Sequence, residues 1–212
     1  MSSNADVGKF LNQLSGGGFR PNRYEVNFTF PKAIDEITKY TPNEQIYPEG
    51  ADATRAKANN ITNLQAIKDH VSFMAKGTKI PSMQIGEIEL PYKGRKLKVN
   101  GDVTLDDWEV TLIMDSNGKS RGLFEFWMEA MLGVYTNTTS RSLMNPANYM
   151  GTATVRALGR DDELEAIYVL SDIYPKNVGE IALAWDSNDQ VAEVNVTFAV
   201  NNVRSRYTKP LA

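Results

Sequence analysis

Alternation of apolar and polar residues with a period of two recurs in many segments of the chain. In YEVNFTF, Tyr24, Val26, Phe28 and Phe30 alternate with Glu25, Asn27 and Thr29. Successive side chains of a strand point to opposite faces, so this spacing predicts a strand with one buried and one wet face. DDWEVTLIM sets Trp108, Val110, Leu112 and Met114 against Glu109, Thr111 and Ile113. QVAEVNVTFAVNNV sets Val194, Val196, Phe198 and Val200 against Glu193, Asn195 and Thr197. Further strands are predicted at 71–76 (VSFMAK), 83–92, 95–103, 151–160, 164–175 and 181–185 (IALAW).

The period changes in two places. Between 119 and 133, Leu123, Phe124, Trp127, Met131 and Leu132 form an apolar stripe at helical spacing, with Glu125 and Glu129 on the other face. Val7, Phe10, Leu11 and Leu14 predict a short amphipathic N-terminal helix, stopped by Gly16, Gly17 and Gly18. Residues 31–70 keep no strand period and contain Pro31, Pro42 and Pro48, which reads as an inserted loop with a helix near 61–69. The expected fold is mainly β, an antiparallel β-barrel or sandwich with one packed α-helix at about 119–133 and a short N-terminal helix.

Composition narrows the chemistry. The 212 residues include no cysteine and one histidine, His70. A disulfide scaffold, a thiolate nucleophile and a cysteine- or histidine-rich metal site are therefore excluded. Lys+Arg 23 against Asp+Glu 26 gives a net charge of −3, with no whole-chain drive toward polyanions. No run approaches the roughly 18 apolar residues of a membrane span, and Lys9 sits where a secretory signal would enter its apolar run. A soluble chain kept in a cytoplasm is expected.

Candidate reactive groups have plainer explanations. Asp106 and Asp107 are adjacent, so on an extended chain they point apart and cannot share a ligand. The Asp186–Ser187–Asn188–Asp189 cluster lacks the glycine and distal glutamate of a calcium loop and reads as a turn. Gly16–Gly18 follow a helix rather than precede one, unlike a phosphate loop. His70 has no partner identifiable from sequence. Lys93, Arg95, Lys96 and Lys98 form a basic run without stacking aromatics, and Arg204, Arg206 and Lys209 a second one in a C-terminal extension at about 204–212. No catalytic residue, cofactor site or metal site emerges, and the expectation is a protein that is not an enzyme. Strands with free edges must be covered, bent or paired with another copy, which favours a self-assembling structural protein.

Four segments, taken in order, resemble the tail tube proteins of contractile-tailed bacteriophages, a family related to secretion-system tube proteins. They are Arg20-Pro21-Asn22 with Tyr24, Glu25 and Val26; Phe73-Met74-Ala75-Lys76 with Thr78, Ile80 and Pro81; PYKGRKLKVNGDVTLDDWEVTLIMD; and YPKNVGEIALAWDSND. The resemblance implies a single tail-tube domain over 1–212 and protomers forming stacked hexameric rings, a hollow conduit for genome delivery inside a contractile sheath. It implies as partners further copies of the chain, a tail sheath protein, baseplate and tail terminator proteins, and a tape measure protein and genomic DNA passing through the lumen without sequence-specific binding. A membrane is not among them. The location implied is the virion tail, assembled in the host cytoplasm. A baseplate or terminal initiator or cap protein of the same fold, and a secretion-system needle tube, stand as alternatives. With that architecture, Glu109, Thr111, Glu193, Asn195 and Thr197 are expected to face the lumen. Lys96, Lys98, Asp106, Asp107, Asn177 and Glu180 are expected at a protomer or ring interface. Trp108, Val110, Leu112, Phe124, Trp127, Val194, Val196 and Phe198 are expected in the core. The 31–70 insertion departs from the family pattern and is expected outside the tube or between rings.

Overall fold

Residues 7–10, 12, 19–31, 64–116, 118–133, 137, 141–185 and 190–208 are described by the computed structural model. They form β1 (Tyr24–Thr29), α1 (Leu64–Phe73), β2 (Ala75–Thr78), β3 (Met83–Tyr92), β4 (Arg95–Leu105), β5 (Trp108–Ile113) and α2 (Lys119–Leu132). After a 3-10 turn at Arg141–Met144 come α3 (Pro146–Tyr149), β6 (Gly151–Leu158), β7 (Leu164–Val178) and β8 (Glu193–Ser205). The fold is mainly β. Six strands form an antiparallel sheet in the order β1-β6-β7-β8-β5-β2, and β3 and β4 form a separate hairpin.

Register decides what is inside. β5 and β8 pair Trp108 with Phe198, Val110 with Val196 and Leu112 with Val194. All six side chains are buried. The intervening pairs, Glu109 with Thr197, Thr111 with Asn195 and Ile113 with Glu193, take the other face. Inside, the Phe198 ring centroid lies 5.1 Å from Trp108, 5.5 Å from Phe124, 5.8 Å from Phe28 and 6.2 Å from Trp127. Both buried indoles have acceptors: Trp108 Nε1 donates to Thr78 Oγ1 at 2.9 Å and Trp127 Nε1 to the Tyr149 carbonyl at 2.8 Å. This matters because an unpaired buried N–H would offset much of what ring burial contributes.

α2 covers this core with Leu123, Phe124, Phe126, Trp127 and Met131. Leu132, expected in the stripe, is exposed instead. It follows Glu125 by seven residues, nearly two turns, and so returns to the solvent side. The helix is bracketed by Gly118 and Gly133 in left-handed conformation, and the Asp115 carboxylate accepts the Ser120 N–H at 3.2 Å in its first turn.

Three segments differ from the sequence pattern. The strand expected at 71–76 begins only at Ala75, because α1 runs through Phe73 and its last turn is closed by Met74 N–H to the His70 carbonyl at 3.0 Å. Val71, β-branched but fully buried, shows core packing overriding helix propensity there. Residues 181–185 lie outside any strand: the Arg121 guanidinium takes the Gly179 carbonyl at 2.6 Å, where the β7–β8 ladder ends. Arg204, expected in a C-terminal extension, belongs to β8, opposite Val169. Residues 7–10 are helical, but Leu11, Leu14, Gly16–Gly18, residues 32–63, Asp186–Asp189 and Lys209 lie outside the described residues.

The sheet curls until its two edge strands, β1 and β2, come near each other, giving a nearly closed barrel. Side chains rather than a ladder span the seam. The Tyr24 hydroxyl donates to the carbonyls of Ala75, at 3.3 Å, and Lys76, and the Phe28 N–H donates to Ser72 Oγ at 3.4 Å. A cleft of about 550 Å³ runs along this seam, between β1 and the end of α1.

Burial raises the Tyr24 phenol above its ordinary value of 10.0. The folded state then holds that proton more tightly than the unfolded chain, so the stability it contributes is present below pH 10 and falls as pH rises through the folded value. Tyr24→Phe is expected to lower stability at neutral pH by about 1 kcal/mol and to remove this alkaline loss. Urea unfolding on either side of pH 10 checks both effects.

Candidate functional site

Two exposed sheet surfaces stand out. The first is the β3–β4 hairpin, which continues the β2–β5 ladder outward: the Asp106 N–H donates to the Ser82 carbonyl at 3.2 Å, and the Ser82 hydroxyl donates to the Asp106 carboxylate. Its tip is a two-residue turn, Lys93-Gly94, with φ of 46° and 79°. Both central residues at positive φ match the twist of a tight hairpin. At about 3.3 Å per residue the ten residues of β3 span roughly 30 Å.

One face of this ribbon is charged and internally paired. Lys96 Nζ is 2.5 Å from a Glu89 oxygen, and Lys98 Nζ is 2.5 Å from a Glu87 oxygen. The other face is apolar, with the pairs Ile88–Val99 and Leu90–Leu97 followed at the tip by Tyr92. Across the bulge, where Gly101 and Asp102 of β4 stand opposite Gly86, the pairs Met83–Leu105 and Ile85–Val103 fall instead on the face of Glu87 and Glu89, toward the base of the ribbon. Met83, Ile85, Ile88, Leu90, Tyr92, Leu97, Val99 and Val103 are between 40% and 64% exposed. A two-stranded hairpin is marginal in water, and a contiguous apolar patch on it marks an interaction surface.

The second surface is the outward face of β5 and β8, with Glu109, Thr111, Glu193, Asn195 and Thr197. Thr111 Oγ1 donates to Asn195 Oδ1 at 2.7 Å, Lys79 Nζ lies 2.8 Å from Glu109, and Lys76 pairs with Glu193. Next to it, Lys176 Nζ lies 2.7 Å from Asp107, and the hydrogen bond and charge of that carboxylate hold the ammonium above the ordinary lysine range.

The residues expected at an interface therefore divide. Lys96 and Lys98 sit on the hairpin's charged face. Asp106 bonds at its base, while Asp107 pairs across to β7, so the two adjacent carboxylates do face different partners. Asn177 and Glu180 are exposed at the end of β7. The eight residues expected in the core are all buried. His70 Nε2 is buried 4.0 Å from Asp115, and Ser120 Oγ is buried nearby in chain order at the start of α2. Among the described residues, no three His, Asp or Glu side chains converge as metal ligands.

Sequence reasoning missed the Tyr24 clasp, the uncovered apolar stripe of the hairpin, and the exposed Leu183 and Trp185, the indole being 104% exposed. The stripe was visible as alternation, but alternation does not tell which apolar face has a cover within the chain.

Residues 19–202 match the family described as phage tail tube protein. The chain belongs to the phage tail tube protein family. Tail tube protein gp19 of Enterobacteria phage T4 is 33% identical over 169 residues, 79% of this chain and 97% of the relative. The tail tube protein of Serratia phage KSP90 is 25% identical over 191 residues, 89% of this chain and 90% of the relative. Two solved structures share the fold at low identity. One comes from the sheath–tube complex of an extracellular contractile injection system in the extended state (TM-score 0.55, 13% identity, 92% of this chain and 96% of that one). The other comes from the six-fold symmetrised baseplate of the anti-feeding prophage (TM-score 0.52, 12% identity, 89% and 95%). Phage tail tube proteins are virion tail components, and the location follows for this chain.

In this tail tube chain the hairpin depends on two facing glycines. A Cβ on Gly101 would stand 3.0 Å from the Gly86 carbonyl oxygen and 3.1 Å from its carbon. Gly101→Ala is expected to cost about 1–3 kcal/mol locally. Hydrogen exchange is expected to quicken in β3 and β4 while the β5–β8 ladder keeps its protection.

Proposed function

We propose that this chain is the structural protomer of a contractile phage tail tube, assembling into stacked hexameric rings that form a hollow conduit inside a sheath. The observation that carries this reading is the apolar patch of Ile88, Leu90, Tyr92, Leu97 and Val99 on the half of the β3–β4 hairpin nearer its tip, exposed on a ribbon whose opposite face there pairs its own charges. Such a surface gains nothing in a lone protomer. In an assembly of copies, each hairpin lies on a neighbour and each neighbour presents the same surface, so the stripe is covered everywhere except at the tube's ends. Family membership and the relative found in a sheath–tube complex support the sheath as a partner. The six-fold baseplate relative supports the ring number.

In this reading Glu109, Thr111, Glu193, Asn195 and Thr197 line the lumen, through which the tape measure protein and the genome pass. The work of the chain is structural, not catalytic; Lys96, Lys98, Asp106, Asn177 and Glu180 rim the contacts between copies, and Asp107, paired with Lys176, borders the lumen face. Relatives in a baseplate and in a sheath/tube terminator match the fold about as well as the tube itself, with TM-scores of 0.52 and 0.54. That similarity supports a second reading, an initiator or cap of the tube.

Electron microscopy of the purified full chain separates the two. Hollow filaments of constant width are expected for the tube protomer, and single closed rings at every concentration would transfer the assignment to an initiator or cap. Ile88→Lys combined with Leu90→Asp is expected to give a folded monomer with unchanged melting and no filaments. Filaments from that variant would remove the hairpin from the assembly contact.

A further inference from the structure

The outward face of the β2, β5, β8 and β7 strands carries three lysines, and a carboxylate on a neighbouring segment holds each one. Lys79 lies 2.8 Å from Glu109, Lys76 pairs with Glu193, and Lys176 lies 2.7 Å from Asp107. The Thr111–Asn195 hydrogen bond fills the space between with neutral groups. Exposed ion pairs add little to stability, so three of them on one face call for another physical consequence. That consequence is the field they cancel. A lysine alone on a wall displaces the counterions condensed on a passing polyanion and binds it. A carboxylate alone repels it. The two held within 3 Å form a dipole whose field has faded within a Debye length.

We propose that Asp107, Glu109 and Glu193 mask Lys176, Lys79 and Lys76, making this face non-adhesive toward double-stranded nucleic acid. The inference rests on the reading of this face as the tube lumen. It gives the paired charges a function there: a wall that neither retains nor repels a polyanion sliding past. The hydrogen bond from Lys176 to Asp107 supports it, since it keeps that ammonium protonated and paired.

The test compares two triple variants of the full chain that change net charge equally. Asp107→Asn, Glu109→Gln and Glu193→Gln unmask the lysines. Asp161→Asn, Glu163→Gln and Glu165→Gln remove the same charge from the exposed β6–β7 turn and the first residues of β7. Binding of a dye-labelled DNA duplex is read by fluorescence anisotropy at increasing salt. The unmasked triple is expected to bind at least about tenfold more tightly than the turn triple, with a log–log salt slope of about −2.7 for three lysine–phosphate contacts. Adding Lys76→Gln, Lys79→Gln and Lys176→Gln is expected to abolish the gain. Equal binding by the two triples overturns the proposal. If the unmasked triple fails to fold, Glu109→Gln alone is expected to show a slope of about −0.9, and its absence overturns the proposal equally.

Location is tested separately. The chain has no cysteine, so Thr111→Cys gives one label site. In assembled tubes a small soluble maleimide is expected to react there and a bead-bound one is not. Reaction with the bead-bound reagent overturns the lumen reading without touching the masking result. Protection from it, together with equal DNA binding by both triples, overturns the masking and leaves the lumen reading in place.

Discussion

The pairing of β5 with β8 is the constraint on which the rest of the molecule depends. With Trp108 opposite Phe198, every second residue of both strands is committed to the aromatic core and every other one to the outer wall. Phe198 meets rings from β1, β5 and α2, so one side chain ties the barrel's far edge, its centre and its helix together. A slip of one residue would bury Glu193 and Glu109 and expose both rings, and burying unpaired charge costs far more than any other arrangement of these strands would return. The same register that forms the core therefore writes the chemistry of the outer wall.

The hairpin obeys different rules from the barrel. Its strands pair with each other alone, its apolar residues meet solvent, and its ladder contributes no side chain to the Phe198 cluster. The aromatic core closes without any side chain from the hairpin, so its packing does not depend on what covers the hairpin's apolar patch. On the charged face Lys96 and Lys98 are satisfied by Glu89 and Glu87, so these two pairs add no net charge to it.

How much of this was legible follows from what each pattern encodes. Strand faces were legible because period two is a property of the backbone, and Trp108, Val110, Leu112 and their β8 partners carried it without interruption. The central helix was legible for the same reason, except at Leu132, where one apolar residue lay on the wrong side of the turn. The α1 boundary was not, because Val71 and Phe73 favour strands locally and only tertiary burial of Val71 decides for the helix. The exposed status of Trp185 and of the hairpin stripe was hidden too. An apolar residue states a need for cover, and the sequence of one chain does not say whether that cover comes from itself. The ion pairs of the outer wall needed three dimensions outright: Lys76 and Glu193 lie 117 positions apart.

The seam between β1 and β2 has a mechanical consequence. A cylinder closed by hydrogen-bonded ladders all round shares any twist among all its walls. A cylinder slit along its length shears at the slit, and its torsional stiffness drops while its resistance to bending is largely kept. Here the slit is held by the Tyr24 hydroxyl and one contact from Ser72, bonds that swing on side-chain torsions rather than on a rigid ladder. The barrel thus has one line along which its edge strands are joined by side-chain bonds alone, while the Phe28 ring keeps β1 packed on Trp108 and Phe198.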